Sequence, residues 1–319
     1  MQASGKRSGL GLALVSAIAF GGSGVAAKPL IEAGLDPLHM VWLRVAGAAL
    51  VLSPLAWRHR DLVRRKPLLL AGFGLVAVAG VQAFYFASLS RIPVGVALLL
   101  EYLGPALLLG YIRFVQRKPV TRAAAAGAAV AVVGLACVVQ IWAGLSLDLL
   151  GVLLGLAAAC CQAFYFVFAD QGSDGDDVPD PMGVIAYGMI VGTLVMTVIA
   201  RPWQIDWQVL SGYAAVGDLR IPAAVLLGWV VLIATVFAYL TGVVSVRRLS
   251  PQVAGVVACL EAVVATVLAW VLLGEHLATW QIVGGALVLG GAFIAQTSRP
   301  VAPGTAEPVA ALDRDPSKV

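Results

Sequence analysis

The 319-residue chain is 61% hydrophobic and only 12% charged, against roughly a quarter charged in soluble domains, and its mean hydropathy is +0.94. That excludes a soluble globular protein and describes an integral membrane protein. A formal charge of +4 and a pI near 9.0 do not point to nucleic acid, because the basic residues sit in short segments between apolar stretches, where cytoplasmic loops of membrane proteins collect them.

Ten apolar stretches, each about the length of a bilayer-spanning helix, run over residues 9–27, 38–57, 68–90, 93–112, 122–140, 149–169, 182–200, 223–245, 251–273 and 278–296. Lys6-Arg7 before the first stretch imitates a secretory signal, but the spans behind it favour an uncleaved first helix. Lys28-Pro29 and Asp36-Pro37 bracket a tight first turn, with Lys28 placed to snorkel to the interface. Ile92-Pro93 and Ser250-Pro251 put a proline at or near a first helical turn, where its missing N–H is harmless. Hairpins are therefore expected between spans three and four and between spans eight and nine. Arg201 to Arg220, with Trp203, Trp207 and Tyr213, is too polar to span and reads as an interfacial loop or short surface helix. Residues 1–8 form a short cytoplasmic tail, and residues 297–319, rich in Pro, Ala, Asp, Glu and Lys without periodicity, a disordered one.

The stretches divide into two groups of five, 9–140 and 149–296. A shift of 157 residues lays Arg91 on Arg248, Val96 on Val253, Ala97 on Ala254, Leu103 on Leu260, Gly127 on Gly284 and Gly134 on Gly291. Because five is odd, the second copy must cross the membrane in the opposite sense, the plan by which secondary transporters alternate access to a midplane site. The expectation is an all-α integral membrane protein of ten transmembrane helices in two inverted five-helix repeats. Lys and Arg gather in the termini and in the loops around Arg58–Lys66, Arg113–Arg122 and Arg247–Arg248, while the other side holds only Lys28, Arg91, Arg201 and Arg220. By the positive-inside rule both termini are cytoplasmic, in a multi-pass protein of the bacterial inner membrane. The acidic loop Asp170–Asp180 falls on the same side.

Cys137, Cys160, Cys161 and Cys259 all lie in apolar stretches, with spacing that fits neither a disulfide framework nor a metal cage, and serve as small packing residues. His39, His59 and His276 stand at span ends, too scattered for a metal site. Gly127, Gly134 and the pairs Gly284-Gly285 and Gly290-Gly291 lie on nearly one face of spans five and ten, as close helix packing requires. There is no phosphate loop and no His-Glu-x-x-His. No enzyme, cofactor or metal is indicated.

Three segments carry a resemblance. The first hairpin GLALVSAIAFGGSGVAAKPLIEAGLDPLHMVWLR, the stretch SRIPVGVALLLEYLGPALLLG and the closing RRLSPQVAGVVACLEAVVATVLAWVLLGEHLATWQIVGGALVLGGAFIA resemble the EamA-type drug/metabolite transporters, over about residues 9 to 296. Glu101-Tyr102-Leu103-Gly104-Pro105 is most similar to the threonine/homoserine exporter branch. The resemblance implies ten helices in two inverted repeats and efflux of small metabolites from the bacterial cytoplasm, with different compounds exported by closely similar members. Two departures stand out. Glu261 is followed by Ala262 where the family often has proline, and the Gly-Glu that usually closes span four is replaced by Arg117-Lys118, being present only as Gly274-Glu275 in the second half.

Glu101 and Glu261 lie about 12 and 15 Å into their spans at 1.5 Å per residue, near the midplane. A charged carboxylate there costs on the order of 2.5–3.5 kcal/mol, so each must face the bundle interior, either as a substrate or proton site or as a neutral group bonded to a neighbouring helix. Arg44, about 9 Å into span two, can hold a substrate carboxylate bidentately, pair with a glutamate or cap an unwound helix end. The string Gln-Ala-Phe-Tyr-Phe occurs at Gln82–Phe86 and again at Gln162–Phe166. Gln82, Tyr85, Gln162 and Tyr165, with Tyr239 at the repeat position of Gln82, bring polar tips into the bundle. They either line a cavity for a small molecule or bond helix to helix.

The leading expectation is a proton-coupled exporter of small metabolites, amino acids or analogues, working in the bilayer as a monomer or homodimer. A multidrug or lipid flippase is the alternative, and a membrane-embedded enzyme a remote one. The charge asymmetry generates a direct test. A cysteine at Ser317 should resist an impermeant thiol reagent in intact cells, and ready labelling there would invert the topology.

Overall fold

A bilayer offers no water to backbone N–H and C=O groups, so an apolar chain satisfies them within each segment by coiling into helices. In the computed structural model, which describes residues 2–117, 119–140, 147–172, 179–246 and 251–297, every apolar stretch is helical over its described residues. In chain order the long helices are α1 (Gln2–Glu32), α2 (Pro37–Arg58), α3 (Pro67–Leu89), α4 (Val94–Val115), α5 (Arg122–Val139), α6 (Leu149–Gly172), α7 (Pro181–Ala200), α8 (Ala223–Gly228, Trp229–Phe237 and Ala238–Val246), α9 (Pro251–Leu273) and α10 (Thr279–Thr297). Among the described residues, seven of them are long and apolar enough to cross a membrane, and α6, α9 and α10 contain the shorter apolar stretches Leu149–Phe164, Cys259–Leu273 and Thr279–Ala295.

The first turn differs from expectation. Residues 2–8, read as a tail, continue α1, and Pro29 lies inside that helix rather than ending it. Proline removes one N–H, and the helix runs on for a turn before Gly34, at φ +107°, reverses the chain. Asp36 then caps α2, accepting from the Leu38 N–H at 2.8 Å. The loop between α3 and α4 is the tight hairpin expected around Pro93. The corresponding turn before Pro251, the acidic residues 173–178 and the tail 298–319 lie outside the described residues.

Arg201 to Arg220 also holds more order than a loop. Asp206 caps a short helix, Trp207–Ser211, and β1 (Tyr213–Val216) pairs antiparallel with β2 (Leu219–Pro222), Val216 opposite Leu219. Gly217, at φ +57°, makes the two-residue turn. Four-residue strands are too short to show a period of two in sequence. Ala214 and Val216 are buried while Trp203, Trp207 and Tyr213 stay exposed, so the hairpin lies on the bundle end with its aromatics outward.

The packing has a simple exchange property. α1 runs along α8 and α9, α6 along α3 and α4, α2 against α7 and α8, α7 against α3, and α5 against α10. Replacing α1–α5 by α6–α10 in order returns the same set of pairs. Backbone irregularities repeat too: α3 widens to a π-helix over Phe73–Gly80 and α8 over Trp229–Phe237, and the left-handed turns at Arg117 (φ +55°) and Gly274 (φ +68°) are, like the ends of those π segments, 157 positions apart.

The seam of α5 and α10 is made of glycine. A Cβ on Gly134 would fall 2.6 Å from the Val288 nitrogen and 2.7 Å from the Gly284 carbonyl, and one on Gly127 would fall 2.7 Å from the Gly291 carbonyl. Gly284 and Gly291 face this seam, but Gly290 faces open space and Gly285 meets Leu99, which corrects the expectation that both pairs share one face. Cys137 packs at the same seam, and the four cysteines are free thiols. Gly134→Leu should therefore cost about 1–3 kcal/mol or more through overpacking and lower the unfolding temperature in detergent by several degrees. Gly290→Ala, where the new methyl meets nothing, should leave it unchanged within a degree or two.

Candidate functional site

Arg44 lies deep in α2, 3% exposed. Its Nε donates to Thr235 Oγ1 at 2.7 Å, Nη1 to Gln82 Oε1 at 2.9 Å and Nη2 to the Ala234 carbonyl at 3.3 Å. The guanidinium also stands 5.3 Å over the Phe86 ring. These partners come from α3 and α8, one from each half. Both belong to helices with π-helical stretches, where a wider turn changes which carbonyls are consumed: Thr235 gives its own hydroxyl proton to the Val230 carbonyl, five residues back, at 2.7 Å, and the Ala234 carbonyl turns to Arg44.

Glu101 ends the first part of α4. Pro105, lacking an N–H, cannot donate to the Glu101 carbonyl, and the helix breaks at Tyr102-Leu103 before resuming at Gly104. The Leu103 N–H falls back on Leu100 at 3.1 Å. Gln162 Nε2 donates to Glu101 Oε1 at 3.3 Å, and Gly104 makes room for the Gln162 side chain. In α9 the helix runs unbroken through Glu261, as Ala262 in place of proline allows. Tyr102 OH, buried in the bundle, donates to Glu261 Oε2 at 3.4 Å. Arg44 is near enough to Glu101, Glu261, Tyr85 and Tyr239 to interact with each electrostatically, yet among the described residues it makes no ion pair within 4.0 Å.

The structure thus brings together Arg44, Gln82, Tyr85, Glu101, Gln162, Glu261 and Tyr239, around α1. The side chain of Tyr165 lies outside the described residues. Tyr85 is buried, its hydroxyl against Gly24 of α1, and Tyr239 packs edge-on to Phe20 at 4.8 Å. Ser23, next to Gly24, is buried, and its hydroxyl has no hydrogen-bond partner among the described residues. The other buried serine and threonine hydroxyls, Ser16, Ser88, Thr235 and Thr241, donate to carbonyls. Two functional contacts escaped the sequence. Thr235 looks like one more small residue in an apolar span. Lys28, expected to snorkel, instead pairs with Glu275 at 2.6 Å.

At the end of the bundle away from Lys28, a cavity of about 580 Å³ opens between α2, α7 and α8, lined by Leu52, Leu55, Arg58, His59, Asp180 and Leu240 among others. His59 Nε2 stands 3.6 Å from Asp180 Oδ2 at its rim. Leu52 and Leu55 lie on the face of α2 that carries Arg44, two and three turns away. At the Lys28 end, Arg91 pairs with Asp148 at 3.3 Å, and the Gly151 N–H, ahead of Arg91, holds the Asp148 carboxyl below its ordinary range.

A bundle of apolar helices with a guanidinium and two carboxyls turned inward defines a polytopic membrane transporter. The chain belongs to the EamA-like transporter family, which matches residues 7–140 and 149–297, once in each half. It is a transporter rather than an enzyme. It is 27% identical over 251 residues to the threonine/homoserine exporter RhtA of Escherichia coli (strain K12), covering 77% of each chain. To the protein of the same name from Salmonella typhimurium (strain LT2) it is 27% identical over 248 residues, 75% of each chain. A solved crystal structure shares the fold at a TM-score of 0.56 and 19% identity, over 91% of this chain and 97% of that one.

The Arg44 contacts make the two halves interdependent. Thr235→Val removes the acceptor of a buried guanidinium N–H and should destabilise the protein by about 1–3 kcal/mol, read as a lower unfolding temperature in detergent. Thr235→Ser keeps the hydroxyl and should stay within about 1 kcal/mol.

Proposed function

We propose that the chain is a secondary transporter that exports small zwitterionic metabolites, amino acids or their analogues, from the bacterial cytoplasm in exchange for protons. The observation that carries this reading is Arg44, a buried guanidinium held by neutral acceptors from both halves, with two carboxyls in electrostatic range but none in contact. Such a group is an anion receptor with its charge uncompensated at short range, and a substrate carboxylate fits it as a planar fork. Glu101, beside the break in α4, is the proton carrier, since protonation relieves the cost of a charge in the bilayer. Glu261 assists. Gln82, Gln162, Tyr85, Tyr165 and Tyr239 supply the polar lining, and Ser23 a hydroxyl that has no partner among the described residues. The names of the exporter relatives support amino-acid cargo.

Ten spans in two inverted repeats accommodate this chemistry. The exchange of packing partners and the recurrence of π segments and left-handed turns support duplication, and five helices per half give the inversion. Lys/Arg asymmetry puts both termini, His59 and Asp180 on the cytoplasmic side. Rocking of one half against the other then exposes the Arg44 site to each side in turn. The aromatic rings of Phe20, Phe86 and Tyr239 favour a second reading, efflux of apolar compounds or lipid.

Counterflow of a labelled amino-acid panel in proteoliposomes separates the two readings: amino-acid exchange supports the first, exchange only with lipophilic cations the second. Glu101→Gln keeps shape and hydrogen bonding but cannot carry a proton. It should insert normally and still exchange cargo, while export driven by an imposed proton gradient falls at least tenfold. Full gradient-driven export by this variant would remove Glu101 from the coupling. Arg44→Lys should weaken carboxylate-bearing cargo more than insertion, since an ammonium cannot form the fork.

A further inference from the structure

Lys28 closes the deep part of α1, and Glu275 follows the end of α9, in opposite halves of the chain. Their side chains meet at 2.6 Å, with only 15% and 13% of each exposed. Neither group is a simple surface ion. Lys28 Nζ also donates to the Ile92 carbonyl at 3.3 Å, and the second carboxylate oxygen of Glu275 accepts the Val94 N–H at 2.9 Å. Val94 is the first residue of α4, so Glu275 caps that helix at its positive end. The backbone aims it there: Gly274 at φ +68° turns the chain back, and the Glu275 N–H reaches the Ala269 carbonyl at 3.2 Å. One carboxylate thereby ties α1, α4 and α9 together. The β-hairpin reinforces the same corner, with Gly217 against the Leu272 carbonyl. The open cavity is at the other end.

We propose that the Lys28–Glu275 pair, with its bonds to Ile92 and Val94, is the latch that keeps this end of the transporter shut, and that it breaks each time the Arg44 site opens to that side. The latch rests on the alternating-access reading above. It spans the two halves at the point where they must part, and its charges are desolvated enough to hold without water yet near enough to the surface to be solvated once separated. Breaking it exposes the first turns of α4, where Ala97, one turn below Val94, is wholly buried.

The test uses the full chain with Ala97→Cys as reporter and the four native cysteines replaced by alanine. In intact cells and in inside-out vesicles, an impermeant methanethiosulfonate should label the reporter thiol slowly in the parent. Glu275→Gln and Lys28→Met should each raise the labelling rate at least fivefold, from one face only. Glu32→Gln, which removes an exposed carboxylate at the same end of α1 and leaves the latch untouched, should not. A second arm joins Lys28→Cys to Glu275→Cys with a thiol-cleavable cross-linker of about 8 Å, which should stop counterflow of labelled threonine until a reductant releases it. Unchanged labelling of the reporter in both latch variants, or undiminished counterflow in the cross-linked protein, overturns the latch. Absence of threonine counterflow in the parent bears on the cargo reading alone, since the labelling arm reads opening without any cargo.

Discussion

The interior of this bundle is arranged around the cost of holding one guanidinium out of water. Arg44 cannot shed its charge, and each of its N–H groups left unpaired in a low-dielectric interior carries a penalty of kilocalories. The chain meets that demand with a side-chain amide from α3 and a hydroxyl and a carbonyl from α8, all neutral. The π-helical stretch of α8 is part of the same solution. Within the π-helical Trp229–Phe237, the Ala234 carbonyl accepts from Arg44. A carboxylate from Glu101 or Glu261 in direct contact would neutralise the site permanently.

The same bundle divides into parts that are fixed and parts that are not. Where α5 meets α10, backbone touches backbone through Gly127, Gly134, Gly284 and Gly291, which leaves little room for a shift. Around α1 the contacts are mixed: Gly21 also meets the α9 backbone, at the Glu261 carbonyl and the Ala265 nitrogen, but others are of a different kind. They include a buried serine without a partner among the described residues, a tyrosine hydroxyl resting on a glycine, and a broken helix at Glu101 whose hydrogen bonds are already rerouted. Motion that leaves the glycine seam intact need re-form only such side-chain and rerouted bonds around α1 and α4.

Much of the fold was legible because a bilayer leaves a chain few choices. Long apolar runs had to be helices, and the prolines at 93 and 251 marked helix starts, but the break beside Glu101 was not read from the sequence although Pro105 causes it. Arg44, Glu101 and Glu261 were expected to face the bundle interior because they are costly in lipid, and the structure brings them within electrostatic range of one another. What stayed hidden was pairing across distance. Nothing local links Arg44 to Thr235 or Lys28 to Glu275, 191 and 247 positions apart. The π segments were invisible because a helix that is apolar all round has no periodic face to mark a change of pitch. Pro29, a helix stop by local rules, was overridden by the packing of α1 against α8 and α9.

The large exposed aromatics are unevenly shared between the two ends. Trp203, Trp207, Tyr213, Trp270 and Trp280 stand at the hairpin end, against Trp57 and Phe114 at the other. Rings of this kind settle at the headgroup level, so the hairpin end is moored to its leaflet by many anchors and the cavity end by few. When lipid chains shorten or lengthen, the moored end keeps its depth and the opposite end takes up the hydrophobic mismatch. The mouth between α2, α7 and α8 therefore takes up changes in bilayer thickness, so that, under the proposed function, acyl-chain length is a setting on how readily cargo enters there.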